Sequence, residues 1–184
     1  MLNDRERTDL VAQLLEAKRE LDMLTLDEDM TAPPSKPATE KDIARFEKKC
    51  GFPIEPSYRE FLLMHDGWTD FDGDAAILGT RGSNEEWFED TLEMVWEVFE
   101  DFGDENPADD AVAVVLGEDT NNYLFMWPPQ EGSDGKATFK EYEDGKLTRE
   151  YVDFDEYLTE FLKSLRHSIE VEREGADRGD ADEQ

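Results

Sequence analysis

The sequence is poor in cysteine, in long apolar runs and in positive charge. Its 184 residues contain one cysteine, Cys50, which excludes an intrachain disulfide framework and a multi-cysteine zinc site. No run approaches the roughly 18 apolar residues of a membrane-spanning helix. The residues that follow Met1 also lack the apolar core of a signal peptide. We therefore expect a cytoplasmic protein.

Positive charge is scarce: 19 Lys and Arg stand against 49 Asp and Glu, which gives a net charge of −30. This excess of acid opposes binding to nucleic-acid phosphates and to anionic lipid, because both require cations on the protein. We expect neither a nucleic acid nor a membrane as partner. Two interpretations of the acidity stay open, namely solubility, as in halophilic proteins, and attraction of a basic protein.

Apolar spacing divides the chain into four parts. Apolar residues recur every three or four positions at Leu10, Leu14, Ala17, Leu21 and Leu24, which predicts an amphipathic helix within residues 1–30. Three prolines within residues 33–37 cannot continue a helix, so 31–38 is predicted to be a linker. Residues 171–184 are polar and acidic, which predicts a disordered tail. A folded domain over 39–170 is left between them.

Within that domain, predicted helices come first and strands cluster after them. Helices are expected over 39–50, 56–65 and 83–102, followed by a last helix from Asp153. Gly51 and Gly67 suit helix ends with a positive φ. The predicted strands are 74–80, 111–116, 123–127, 136–142 and 146–152, with an Asp144-Gly145 hairpin turn between the last two. The fold class is therefore α+β, with a largely antiparallel sheet of about five strands flanked by helices, and an extra N-terminal helix.

Several short motifs in this order resemble those of one family. They are Phe46-Glu47, Gly51-Phe52, Pro56-Ser57-Tyr58-Arg59-Glu60-Phe61-Leu62, Asp66-Gly67-Trp68 and Phe154-Asp155-Glu156-Tyr157-Leu158. Over residues 39–165 the chain is similar to the SUKH superfamily, which contains the Smi/Knr type of cell-wall-assembly regulator and many bacterial immunity proteins. The chain has Ile54-Glu55 where the family usually has Leu-Pro, and Asp66-Gly67 where Asn-Gly is usual.

The resemblance implies a binding domain with no common catalytic centre. For a bacterial member it implies an immunity protein that neutralises a cognate toxin, often a nuclease. The alternative is a regulatory or scaffold protein of the Smi/Knr type with no toxin partner. We accordingly expect a protein that is not an enzyme and needs no cofactor.

The residues themselves offer little chemistry for a catalytic or metal site. The acidic stretch 70–74 fails as an EF-hand loop, because Ala75 stands where glycine is needed and Arg81 where glutamate is needed. An exposed acidic loop is predicted there instead. His65 and His167 have no metal-ligand spacing to another ligand, and Cys50 has no base at a useful spacing. No catalytic, cofactor or metal residue is predicted.

The strongest local signal is acidic. Between Gly82 and Ala113 there are 12 acidic residues and no Lys or Arg. One interpretation is a solvated helix face; the other is a docking surface for a basic protein, since like charges at helical spacing destabilise a helix. Trp68, Trp87 and Trp127 could anchor a partner beside it, and the alternative for each is a place in the core. The candidate partner-binding residues are Trp68, Glu85, Glu86, Trp87, Glu89, Asp90, Glu93, Glu97, Glu100 and Asp101.

Overall fold

The protein is described by a computed structural model that covers residues 1–84, 86–102, 107, 110–119, 121–130 and 135–182. It divides into two compact units. The helical unit comprises Met1–Thr31 with Asp155–Gln184, and the sheet unit comprises Ala32–Phe154. The helices are α1 (Asp4–Thr25), α2 (Glu40–Cys50), α3 (Pro56–Met64), α4 (Glu86–Phe102) and α5 (Phe154–Asp182).

The sheet unit is built on an antiparallel meander. Its strands are β1 (Trp68–Asp72), β2 (Ala75–Ile77), β3 (Val112–Leu116), β4 (Asn122–Trp127), β5 (Thr138–Glu143) and β6 (Lys146–Tyr151). Within the described residues these six strands form one sheet whose spatial order follows the chain. The predicted α+β class, the antiparallel sheet and the N-terminal helix are confirmed.

The sequence predicted about five strands, and β1 is the one it missed. The sequence predicts an exposed acidic loop over residues 70–74, and aspartate is depleted in strands. Instead, Trp68 pairs with Ile77 and Asp72 with Ala75, with an irregularity between them. Asp70 adopts a φ of 51° there, and Phe71 is fully buried.

The two faces of the sheet carry separate aromatic clusters. Side chains alternate between the faces along β4 and β5, so Phe139 and Tyr142 point to opposite sides. The ring centre of Phe139 lies 6.2 Å from that of Tyr58 in α3. The ring centre of Tyr142 lies 5.0 Å from that of Phe99 in α4. Helix α3 therefore covers one face of the sheet and α4 covers the other.

A buried carboxylate starts α3. Glu55 is 1% exposed and accepts from the backbone N–H groups of Ser57 at 2.8 Å and Tyr58 at 2.9 Å. Pro56 occupies the first helical position, where its missing N–H costs nothing. The Ser57 hydroxyl oxygen accepts from the N–H of Phe154 at 2.8 Å. This network joins the start of α3 to the last residue of the sheet unit.

The segment predicted to be a linker, 31–38, is extended and bonded to the sheet unit from residue 32 onward. The Ser35 N–H donates to the carbonyl of Gly67, and the Ala38 N–H donates to the carbonyl of Leu62, both at 2.9 Å. The indole N–H of Trp68 donates to the carbonyl of Ala32 at 2.8 Å. These bonds fix the path of the chain from residue 32 to α2.

In the helical unit, α1 and α5 run side by side in the same direction. Gln13 bonds Arg166 at 2.8 Å, and Glu20 pairs with Arg173, so the contacts advance by one heptad along both helices, as in a parallel coiled coil. The sequence predicted a disordered tail over 171–184. The structure instead carries α5 on to Asp182, and residues 183 and 184 lie outside the described residues.

Both glycines predicted to have a positive φ do so, at 81° for Gly51 and 91° for Gly67. Gly51 ends α2, and a Cβ there would meet nothing within 4 Å. A Cβ on Gly67 would lie 2.7 Å from the backbone nitrogen of Gly79. A side chain would therefore be conformationally strained at either position, but only at position 67 would it also clash with a neighbouring backbone.

We expect Gly67→Ala to lower the free energy of unfolding by more than about 2 kcal/mol, because left-handed strain and the clash act together. Gly51→Ala should cost only about 1 kcal/mol, from strain alone. Urea denaturation followed by circular dichroism measures both. Equal losses in the two variants would show that the contact with Gly79 relaxes freely.

Candidate protein-binding surface

Helix α4 presents one continuous acidic face. At 3.6 residues per turn, six exposed carboxylates fall within an arc of about 120° on its outer side. The acidic face is defined by these residues: Glu89, Asp90, Glu93, Glu97, Glu100 and Asp101. Thr91, Val95 and Phe99 are buried on the opposite side. Helix α4 is thus fixed by its apolar side and shows negative charge to solvent.

The acidic face is not neutralised within the described part of the chain. No Lys or Arg described there forms a salt bridge with any of its six carboxylates. Glu89, Glu93 and Glu97 follow one another at intervals of four, a spacing at which like charges destabilise a helix by about 0.2–0.5 kcal/mol per pair. The packing of α4 on the sheet has to offset that repulsion.

An apolar cavity of about 330 Å³ borders the acidic face. It lies between the end of α2, helix α4 and the start of β3. Its walls include Phe46, Cys50, Phe88, Leu92, Trp96 and Ala111, with Lys49 and Glu89 as its charged groups. We call it the α2–α4 cavity. The acidic face therefore meets a recess that can accept apolar groups.

A second hollow adjoins this cavity on the acidic side. It is lined by Glu89, Asp90, Leu92, Glu93 and Trp96, and we call it the acidic hollow. The two recesses share Glu89, Leu92 and Trp96. An apolar recess and an acidic one thus lie next to each other along α4.

The comparisons with known proteins assign the fold just described. The family model of the SMI1 / KNR4 family (SUKH-1) matches residues 37–160, a span that includes the whole sheet and α2 to α4. The chain belongs to the SMI1 / KNR4 family (SUKH-1). The match confirms the resemblance seen in the sequence, and it leaves α1 and most of α5 outside the family pattern. No curated protein matches the chain.

Of the tryptophans predicted to anchor a partner at the surface of this SUKH-1 domain, only Trp87 is placed for it. Trp87 is half-buried on α4, with its ring 6.3 Å from that of Phe88. Trp68 is 1% exposed and bonded to Ala32, so its role as an anchor is corrected to one in the core. Trp127 is also buried.

Six of the eight acidic residues predicted to bind a partner lie together on α4. Glu89, Asp90, Glu93, Glu97, Glu100 and Asp101 form the acidic face, as the sequence placed them. Glu86 is the first residue of α4, but its side chain lies outside the described part of the structure, and Glu85 lies outside the described residues altogether.

Sequence reasoning missed Trp96, which lines both recesses of the SUKH-1 domain. Its ring lies 5.7 Å from that of Phe125 in β4, and the residue is half-buried. A signal was present, because Trp96 follows Leu92 by four residues and Phe88 by eight. On the helix it falls between the apolar stripe and Glu89, so it belongs to both surfaces.

The groups screened for catalysis have ordinary surroundings. The Nδ1 of His65 lies 3.3 Å from the carbonyl oxygen of Ser35, and His167 is exposed on α5. Among the described residues, no cluster of three or more His, Cys, Asp or Glu could hold a metal ion. No described helix has both the length and the apolarity to cross a membrane.

Cys50 has the properties of an unreactive thiol. Burial, reinforced by the negative charge of Glu47, raises the pKa of the Cys50 thiol to about 11. A thiolate is the reactive form of cysteine, and it is rare at neutral pH for such a group. Cys50 therefore lines the α2–α4 cavity as an apolar group.

We expect alkylation of Cys50 by iodoacetamide at pH 8 to be at least about tenfold slower than that of an exposed thiol. The thiolate fraction is about a hundredfold lower, and the higher nucleophilicity of a high-pKa thiolate offsets only part of this. Because the pKa is raised, the rate should keep rising between pH 8 and pH 10, where an exposed thiol levels off. A plateau below pH 9 would contradict the raised pKa.

Proposed function

We propose that this SUKH-1 protein is an immunity protein, which binds and neutralises a basic toxin domain through the acidic face of α4. The observation that supports the proposal is the acidic face itself, with six exposed carboxylates and no described cation paired with them. It acts by binding rather than by catalysis, which agrees with the surroundings of Cys50 and the two histidines.

The arrangement suits capture of a basic partner. A single-sign surface steers an oppositely charged protein during diffusion, and this raises the association rate more than it raises the final affinity. Trp87 and Trp96 border the acidic face and supply aromatic area, a type of contact enriched at interface hot spots. Charge would thus govern the encounter, and the aromatic border would hold the complex.

The test is co-expression with each protein encoded in the genes that flank its own, with cell growth as the readout. The reversed variant carries Glu89→Lys, Glu93→Lys, Glu97→Lys and Glu100→Lys. The control variant carries Glu118→Lys, Asp119→Lys, Glu143→Lys and Glu150→Lys, at exposed acidic positions elsewhere on the sheet unit. Both variants have the same net charge, so only the position of the change differs.

The wild type and the control variant should restore growth, and the reversed variant should not. Full protection by a folded reversed variant would contradict docking through the acidic face. Binding of a basic protein that has no toxic activity would favour the regulatory or scaffold function of Smi/Knr proteins instead.

A further inference from the structure

The α2–α4 cavity and the acidic hollow share three lining residues and have two different chemistries. Phe46, Phe88, Leu92 and Trp96 give the cavity apolar walls. The adjoining hollow has three carboxylates, from Glu89, Asp90 and Glu93, against the ring of Trp96 and the side chain of Leu92. An occupant that fills both must be apolar at one end and positively charged at the other.

The charged residues around the cavity also determine which of its sides attracts a cation. Lys49 lines the cavity from the last turn of α2, whereas Glu89 lines it from α4. Helix α2 has Lys48 beside Lys49 and no acid in that final turn beyond Glu47. The carboxylates on α4 therefore attract a positively charged group to the α4 side of the recess.

The size of the cavity limits its occupant. Its volume of about 330 Å³ is at the lower end of the range of about 300–1,000 Å³ for small-molecule sites. It suits one or two side chains. Its walls also contain few polar groups that could orient a small ligand, since Lys49 and Glu89 are the charged residues among them.

We infer that the α2–α4 cavity receives an apolar side chain from a basic segment of the protein partner, while a neighbouring Lys or Arg of that segment enters the acidic hollow. The cation there faces three carboxylates and can lie over the ring of Trp96, an arrangement that adds a cation–π contact. This inference rests on the proposed function, because it uses the same helix, and it adds the chemistry of the partner's contacting segment.

Three synthetic helical peptides of equal length test the inference. The first combines leucine with lysine, the second serine with lysine, and the third leucine with glutamate. Affinities come from isothermal titration, and contact sites come from ¹H–¹⁵N NMR of the full chain. The leucine–lysine peptide should bind and shift the amides of Cys50 and Ala111 together with the indole of Trp96. The serine–lysine peptide should bind at least about tenfold more weakly, since burial of one leucine-sized side chain is worth about that much.

A blocked cavity provides the matched variant. Ala111→Phe places a ring in the cavity, and it should reduce the affinity for the leucine–lysine peptide to that for the serine–lysine peptide, which itself should not change. Should Ala111→Phe fail to fold, alkylation of Cys50 with N-ethylmaleimide at pH 9 fills the same cavity in the natural chain and gives the same comparison.

The outcomes that overturn the inference are separate from those that overturn the proposed function. Equal affinities for the leucine–lysine and serine–lysine peptides would overturn it, as would binding of the leucine–glutamate peptide with equal strength. Shifts at Cys50 and Ala111 that grow with protein concentration in the absence of peptide would show a second copy of the chain in the cavity, and would also overturn it. The acidic face is judged independently, by the affinity of the reversed variant for the serine–lysine peptide.

Discussion

Replacing Asp155 with alanine is expected to lower the free energy of unfolding by about 3–5 kcal/mol, the range for removal of one partner from a buried ion pair. Arg7 is fully buried, and its Nε and Nη2 atoms donate to the two carboxylate oxygens of Asp155 at 2.8 and 3.0 Å. The same carboxylate accepts from the backbone N–H of Leu2 at 2.6 Å. Asp155→Ala leaves the buried guanidinium with only the exposed carboxylate of Asp4, 3.9 Å from its Nη1 atom, as a counter-charge.

The matched control is the exposed pair between the same two helices. Glu20 and Arg173 are both partly open to solvent, and surface pairs contribute about 0–1 kcal/mol. Glu20→Gln should therefore cost less than about 1 kcal/mol in the same urea titration. If Asp155→Ala costs no more than Glu20→Gln, the buried pair does not hold α1 against α5.

The second large effect is expected on association rather than on stability. The reversed variant should associate with a basic partner at least about tenfold more slowly than the wild type at low salt, because attraction becomes repulsion. Its free energy of unfolding should hold or rise. The four new lysines still repel one another, but the pairs of Asp90 with position 93 and of Asp101 with position 97 change from repulsion to attraction, and each such change adds about 0.2–0.5 kcal/mol. Stopped-flow fluorescence, with the tryptophans as reporters, measures the association rate.

The control variant should keep an association rate within about twofold of the wild type, because its substitutions lie away from α4 and its net charge equals that of the reversed variant. Equal slowing of the two variants would show that net charge, rather than the acidic face, governs encounter. An unchanged rate in the reversed variant would leave solubility as the role of these residues.

Features of the fold that depend on local chemistry could be predicted. Thr39 and Asp42 form the capping box that starts α2. Asp144 and Gly145 both take a positive φ in the β5–β6 turn, as hairpin chemistry requires. In each case neighbouring residues determine the conformation, so the sequence pattern is sufficient.

Features that depend on long-range contacts could not be predicted. Arg7 and Asp155 are 148 residues apart, and nothing in their local patterns pairs them. Glu55 looked like a departure from the family's Leu-Pro, but burial makes it the carboxylate that caps α3. The strand β1 was not predicted, because it contains Asp70 and Asp72 and aspartate is depleted in strands. Its irregular pairing with β2 accommodates them.

The candidate site also has a part that local sequence could predict and a part that depends on long-range contacts. Helical spacing and residue charge alone placed the acidic face, because an exposed helix surface depends little on the rest of the fold. The α2–α4 cavity brings together α2, α4 and β3, so no single segment reveals it. Trp68 was a candidate anchor with a core position as the alternative, and tertiary packing buries it in β1.

Backbone hydrogen–deuterium exchange of the protein, alone and in complex with a basic protein that it binds, shows which surface the bound protein covers. We expect protection on binding to be concentrated in residues 87–102 of α4 and in residues 49–50 and 111–113 around the cavity. The amides of α1 and α5 should exchange at the same rate in both states. Protection confined to the helical unit or to β6, with α4 unchanged, would contradict docking through the acidic face.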